Sequence, residues 1–297
     1  MLGRSGYSSI MIVVLIGLLW GLNWPAVKFM LTEMPPLTIR AIAFLFAATI
    51  LAFIVYVRGQ KLLPATRDVL PIVITGLLII FGFNILTAFG QMVTETSKAA
   101  IIAFTMPALT AIFASVVLGE DLEARHIVAL VLGMAGIGVL ASENFGALLR
   151  DPTGPAIMFF AAFTWALGNV ALKSRTWSLS ALPLTVWFLA VSSIVCWPLV
   201  LLFEPPWEQS VPSVSVLLIL LYHTVGPMIV CYTLWTILVD RLPATVAAIA
   251  TLLTPIVGVS SAVILLGDQL TWQKIAALSL ILVSISMTLA KRSETDS

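Results

Sequence analysis

AAIIAFTMPALTAIFASVVLGEDLEARHIVAL, residues 99–130, returns as AAIATLLTPIVGVSSAVILLGDQLTWQKIAAL, residues 247–278. Laid over each other without a gap, at an offset of 148 residues, the two stretches share 11 identities in 32 positions. Apolar composition alone gives chance matches of Leu and Ala. It does not put a mid-segment proline (Pro107, Pro255) and an exit glycine followed by an acid (Gly119-Glu120, Gly267-Asp268) in the same register. Each copy reads as an apolar helix, a tight Gly-acid-x-Leu turn and a second apolar helix. In a chain of 297 residues an offset near half the length predicts a duplication.

Composition decides the medium. Hydrophobic residues make up 60% of the chain and charged ones 10%, too little polar surface for a domain that faces water. Apolar stretches of about 20 residues, each long enough to cross a hydrocarbon layer as a helix, recur from end to end. Ten spans are expected, near 9–30, 37–57, 69–90, 97–118, 126–142, 154–172, 181–203, 213–238, 244–266 and 271–290. The run from Ile10 to Val27 is read as the first span because no small-residue cleavage site follows it. Breakers fill the connections, as in MPP at 34–36, RDPTGP at 150–155 and EPPWEQSVP at 204–212. Cys196 and Cys231 lie inside spans and read as buried thiols.

Ten spans put both termini on one side. That side collects Arg4, Arg58, Lys61, Arg67, Arg125, Lys173, Arg175, Arg241, Lys291 and Arg292, against Lys28, Arg40, Lys98, Arg150 and Lys274 on the other. The excess of positive charge places both termini in the cytoplasm, in a multi-pass cytoplasmic (inner) membrane protein. Five spans per half is an odd number, so the halves, 1–146 and 147–297, sit upside down relative to each other. Their starts agree more weakly. Trp20-Gly-Leu-Asn-Trp-Pro leads to Lys28, and Trp165-Ala-Leu-Gly-Asn169 leads to Lys173, with eight residues from Trp to Lys in both. The fold class is therefore all-α, with ten transmembrane helices in two inverted five-helix repeats. Inverted repeats around a site at mid-depth suit a secondary transporter in which one half rocks against the other.

The Leu19-Trp-Gly-Leu-Asn23 opening, Pro36-Leu-Thr-Ile-Arg40 and the paired Pro…Leu-Gly-Glu/Asp-x-Leu segments resemble the EamA group of the drug/metabolite transporter superfamily. The resemblance covers essentially the whole chain. It implies ten transmembrane helices in two inverted halves and the export of small organic metabolites, with amino-acid exporters among its members. Two departures stand out: Asp268 replaces the commoner Glu, and the second half lacks the Trp-Gly pair.

Polar groups deep in a span are costly and mark candidate sites. Asn23 sits beside Trp20, Trp24 and Pro25, and the proline is expected to loosen the helix. Asn84, Thr87 and Gln91 share one face of the third span, and the 148 offset places Tyr232 and Trp235 at the positions of Asn84 and Thr87. Trp165 and Asn169, four apart in the sixth span, could add an aromatic floor with an amide donor for an amino acid or other small zwitterion. The expected substrate set is thus Trp20, Asn23, Asn84, Thr87, Gln91, Trp165, Asn169, Tyr232 and Trp235. Plain helix–helix hydrogen bonding is the competing reading for each polar member.

His223, near the middle of the eighth span, is the candidate for proton coupling, because imidazole titrates near neutral pH. A neutral histidine bonded to a neighbouring carbonyl is the alternative. His126 is read as a surface residue, and Trp207 as an anchor at the membrane interface. Lys28, Lys173 and Arg40 are read as span-end cations that snorkel to water, with a substrate-carboxylate role for Arg40 as the second reading. The Gly-acid pairs are expected to be structural, with Gly in the αL conformation and the carboxylate accepting from the first amides of the next helix.

The function that follows is secondary active export of small organic metabolites, amino acids or related solutes, by alternating access. A drug or sugar-type metabolite is the alternative cargo. An intramembrane enzyme would need groups this chain lacks, such as HExxH, GxSxG or an intramembrane Asp pair. A channel would want a charged or polar ring around a symmetric pore. The expected partners are a small-molecule substrate, the lipid bilayer and protons. No metal, cofactor or nucleic acid is expected, the net charge being +1 without a basic stripe, and the chain is expected to act as a monomer.

Overall fold

The computed structural model describes residues 4–119, 124–241 and 244–289. Among the described residues the chain is helical without strands. The long helices are α1 (Arg4–Met30), α2 (Pro36–Val57), α3 (Thr66–Val93), α4 (Thr96–Leu118), α5 (Ala124–Ala141), α6 (Thr153–Lys173), α7 (Ala181–Phe203), α8 (214–241), α9 (Ala244–Leu266) and α10 (Trp272–Leu289). Six of them, α2, α3, α4, α6, α7 and α8, are long and apolar enough to cross a membrane. Shorter apolar stretches run over Val14–Met30, Val131–Ala141, Leu253–Leu266 and Trp272–Ser284. The outer faces carry exposed Phe46, Phe53, Val116, Leu202 and Ile264, surface that lipid accepts and water does not.

Proline and glycine punctuate the chain where their backbones fit. Pro36 opens α2, where its missing N–H has no helical partner to lose. Gly119 and Gly267, 148 residues apart, both take the left-handed conformation, with φ of 68° and 75°. Pro25, by contrast, does not break its helix, and α1 runs unbroken through it. Gly17 and Gly21, four apart, let α1 lie flush on α9. A Cβ on Gly17 would sit 2.7 Å from Leu253 Cδ2, and one on Gly21 would sit 2.5 Å from the Val257 side chain. Small residues at this spacing let helix backbones approach closely.

Two features of the helices have no counterpart in the sequence pattern. α3 and α8 each contain a π-helical stretch, Leu77–Gly82 and Thr224–Cys231. The first, moved by 148 residues, falls inside the second. α4 is interrupted at Phe104 and Thr105, just before Pro107, whereas α9 continues through Pro255.

The helices of the two half-chains pack mainly across each other. α1 lies along α9, α4 against α6, α2 along α7 and α5 along α10. Exchanging the half-chains turns the α1–α9 pair into α6–α4 and leaves the other two pairs unchanged. The helix ends are stitched by carboxylates from distant elements. Glu204 accepts from the Leu37 and Thr38 amides at 3.0 and 2.7 Å, and Asp68 from the Ser178 amide at 2.9 Å. Asp268 corrects the sequence reading: it accepts from the Ser97 amide at 2.8 Å, at the start of α4. The next helix, α10, is capped by its own Thr271. Glu120, the side chain of His126 and the tail from 290 lie outside the described residues.

Candidate functional site

A narrow cavity, with about 60 Å³ of room for the centres of water molecules, lies among α1, α2, α3, α4, α6, α8 and α9. Trp20, Asn23, Asn84, Thr87, Gln91, Trp165, Tyr232 and Trp235 line it, all of them singled out by sequence. Two further candidates stand one layer back. Asn169 accepts the Trp235 indole N–H at 2.9 Å and so fixes that ring. His223, fully buried, lies behind Asn23 and Arg40.

An aromatic layer forms one wall. The Trp20 ring stands 5.5 Å from Trp165, 5.6 Å from Tyr232 and 5.7 Å from Trp235, centroid to centroid. Trp165 is 5.9 Å from each of the last two and 4.8 Å from Phe83. Edge-to-face and tilted pairs at such distances are mutually attractive, so the layer is packed and leaves no ring-sized gap. From it the cavity extends toward Val27, Arg40 and Gln91. Further along the chain from Trp165 and Trp235, a second depression is lined by Lys173, Arg175, Trp177, Thr236 and Val239.

The π stretch of α3 supplies the polar wall. Helices that widen to i→i+5 bonding leave carbonyls for other donors. Asn84 Nδ2 donates to the Ile80 carbonyl at 2.8 Å and to Tyr232 Oη at 2.6 Å. Tyr232 Oη in turn donates to the Ile79 carbonyl at 3.4 Å. Asn84 and Tyr232 are 148 residues apart, the offset of the two repeated stretches. Trp20 and Trp165, 145 apart, meet in the same way. Residues at equivalent places in the two half-chains therefore touch each other at the cavity wall.

Arg40 is the residue that the sequence reading misplaced. It is 1% exposed and lines the cavity instead of snorkelling outward. Its Nε donates to the Asn84 carbonyl at 3.1 Å and its Nη1 to His223 Nε2 at 2.7 Å. These two acceptors, on α3 and α8, hold a side chain that starts one turn inside α2 inward. Guanidinium can only donate, so Nε2 of His223 must accept, and the ring proton sits on Nδ1, where it donates to Asn23 Oδ1 at 2.7 Å. The histidine is thereby read as the neutral tautomer that aims Arg40. Among the described residues no carboxylate lies within 4 Å of Arg40, whose hydrogen bonds there run from Nε and Nη1. The buried Gln91 Oε1 is unpartnered.

Lys28 also differs from the reading of a free cation: its Nζ donates to the Gln91 carbonyl. Lys173 is exposed, as expected of a span-end cation. Ile16, Phe104, Met106, Met228 and the polar Thr254 also line it and were not singled out, and Trp24 was named only as a neighbour of Asn23. Apolar residues within an apolar span carry no signal that separates cavity from lipid. Arg40 did carry one, since it stands five positions into a helix that opens at Pro36.

The EamA-like transporter family matches this chain twice, over residues 7–142 and 152–290, and the chain belongs to that family. Among its relatives are the uncharacterized transporter YvbV of Bacillus subtilis (strain 168), 26% identical over 95% of this chain and 91% of that protein. A probable amino-acid metabolite efflux pump of Salmonella typhimurium (strain LT2) is 26% identical over 95% of this chain and 93% of its own length. A protein of the same name in Escherichia coli (strain K12) is 25% identical over 90% and 89%. One solved crystal structure superposes with a TM-score of 0.70 over 95% of this chain and 96% of the other, at 20% identity, which speaks to the fold alone. The protein is thus a membrane transporter of the EamA-like family.

Proposed function

We propose that this chain is a secondary active exporter of small organic metabolites, amino acids or related solutes, and that the central cavity is its substrate site. Ten crossings in two inverted five-helix halves, 1–146 and 147–297, would carry the cycle from a cytoplasmic membrane with both termini inside. The observation that carries the reading is the meeting of Asn84 with Tyr232, and of Trp20 with Trp165, at one cavity. Equivalent residues touch where a two-fold relation passes, and a site on that axis is reached from either side when the halves exchange conformations. The two π stretches and the two αL glycines at the same offset support it, as do relatives named as efflux pumps.

The test is a challenge. Cells overexpressing the protein are exposed to toxic levels of each amino acid and related metabolites, and relief and extruded solute are recorded. Relief that disappears in Asn84→Ala or Trp20→Ala, with the protein still inserted, supports the cavity as the site. Relief that survives both substitutions would sink it. Reporter fusions at 142–150 and 209–213 are expected to report outside and those at 60–66 inside; one side for all three ends the proposed topology.

Proton coupling is assigned to His223 on its contact with Arg40. A proton taken up at Nε2 removes the acceptor that aims the guanidinium, so protonation and substrate affinity become linked through one side chain. Arg40 on α2 is the charged group that faces the ring, with Asn23 of α1 at its other nitrogen. His223→Gln is expected to abolish gradient-driven accumulation while exchange persists. An unchanged pH dependence in that variant removes His223 from the cycle.

A further inference from the structure

We infer that the solute carried through this cavity is an aromatic or comparably apolar monocarboxylate, held by its carboxylate at Arg40, and that a positive charge on it is not required. The inference rests on the transporter reading and deepens it.

The first observation is an unbalanced charge. A guanidinium 1% exposed, with no carboxylate within 4 Å among the described residues, is expensive to keep ionised and dry. Two neutral acceptors, the Asn84 carbonyl and His223 Nε2, orient it without neutralising it. Both bonds use Nε and Nη1, and the side chain lines the cavity. A fixed, oriented guanidinium edge matches the two oxygens of a carboxylate, the planar anion that arginine pairs with best.

The second observation is independent of the first. Gln91 Oε1 is buried, lines the same cavity and lacks a donor. Gln91 lies two turns beyond Asn84 on the same face of α3, and side chains on a helix tilt toward its N-terminus, so it leans toward the end of the wall where the Asn84 carbonyl holds Arg40. A solute carboxylate on Arg40 therefore brings its α-substituent toward a neutral acceptor. An α-hydroxyl satisfies that acceptor as an α-ammonium does. Among the described residues the lining carries no Asp or Glu that would demand a cation. The remaining wall is the aromatic layer of Trp20, Trp165, Tyr232 and Trp235, against which an apolar body packs.

The experiment uses the purified full-length protein and four probes that share one ring: phenylalanine, phenyllactate, phenylalaninamide and phenethylamine. Binding is read from quenching of the cavity tryptophans. Phenylalanine and phenyllactate are expected to bind within a few-fold of each other. The amide and the amine, which leave Arg40 unpaired, are expected to bind at least about tenfold more weakly. Arg40→Gln should collapse that ratio toward one, and Arg40→Lys should retain part of it. Equal binding of phenethylamine and phenyllactate to the unmodified protein overturns the assignment without any variant having to fold. Failure of all four to bind overturns it as well. If cells still export another solute in the challenge above, the transporter reading stands while this one falls. Carboxylate-selective binding without flux in proteoliposomes has the opposite meaning.

Discussion

The two π stretches occupy equivalent places in the half-chains and present different chemistry. From the first, α3 goes on to Asn84, Thr87 and Gln91; from the second, α8 goes on to Tyr232, Trp235 and Val239, the same positions 148 residues later. One helix gives the cavity amides and a hydroxyl, the other gives it rings. The same divergence recurs on the neighbouring helices. Pro36-Leu-Thr-Ile-Arg40 of α2 matches Pro183-Leu-Thr-Val-Trp187 of α7, and where Arg40 enters the cavity, Trp187 donates to the Leu62 carbonyl at 2.7 Å. Backbone devices at the repeat offset have kept their form while the side chains they aim have parted. Of the residues that line the cavity, the one cation, Arg40, belongs to the first of the two matched segments.

That comparison breaks most severely at the glycines that let helices touch. Gly21→Leu drives a side chain into Val257, and Gly168→Leu drives one into the Ile79 backbone, 2.8 Å from a built Cβ. Each is expected to cost about 1–3 kcal/mol or to prevent insertion. Gly138 has nothing within 4 Å, so Gly138→Ala is expected to be neutral or mildly stabilising, by up to about 1 kcal/mol. Thermal midpoints in detergent compare the three. Equal loss at Gly138 would mean that helix flexibility, not close approach, decides these positions.

A smaller effect measures the contact between equivalent residues. Asn84→Ala removes a donor from Tyr232 and from the Ile80 carbonyl, whereas Tyr232→Phe removes the acceptor of Asn84 and the donor to the Ile79 carbonyl. A double-mutant cycle on stability is expected to give a coupling of about 0.5–1.5 kcal/mol, the range for side-chain hydrogen bonds between membrane helices. Additive losses would show that the two touch without depending on each other.

Much of this was legible in the sequence, for physical reasons that differ by residue. Trp20, Asn84, Trp165, Tyr232 and Trp235 were found because polar and aromatic side chains at helical spacing inside apolar spans are unusual. The αL glycines were found because glycine before an acid at a helix exit has few other uses. The π stretches were not, since an i→i+5 bond leaves no mark on an apolar run such as LLIIFG. Asp268 misled because local capping is the default expectation, and only tertiary placement brings the start of α4 to it. Arg40 was read by its distance from the span end. His223 and the Asn84 carbonyl, both far away in sequence, turn it inward.

The smallest expected effect compares the two ends of the molecule. At one, Arg175 lies 3.1 Å from the buried Asp68, whose other oxygen caps Ser178. At the other, Glu95 meets the fully buried Lys274 at 2.5 Å and, more loosely, Lys98 at 3.5 Å. Burial pushes the Glu95 carboxyl up, but the hydrogen bond and charge of Lys274, with the charge of Lys98, outweigh it and hold the group below the ordinary glutamate value. A depressed carboxyl contributes stability that is fully present above its unfolded value, about 4.3, and is lost as pH falls through the lower folded value. Glu95 is 46% exposed on its side chain, so solvent screens the pair and its contribution stays within about 1 kcal/mol. Glu95→Gln should therefore lower the thermal midpoint slightly at pH 7, and the gap between variant and unmodified protein should close as pH drops below about 4. Salt should narrow the same gap at neutral pH. A gap that persists at low pH would mean that Glu95 acts through packing, and that the contact at this end is not the charged counterpart of Asp68 and Arg175.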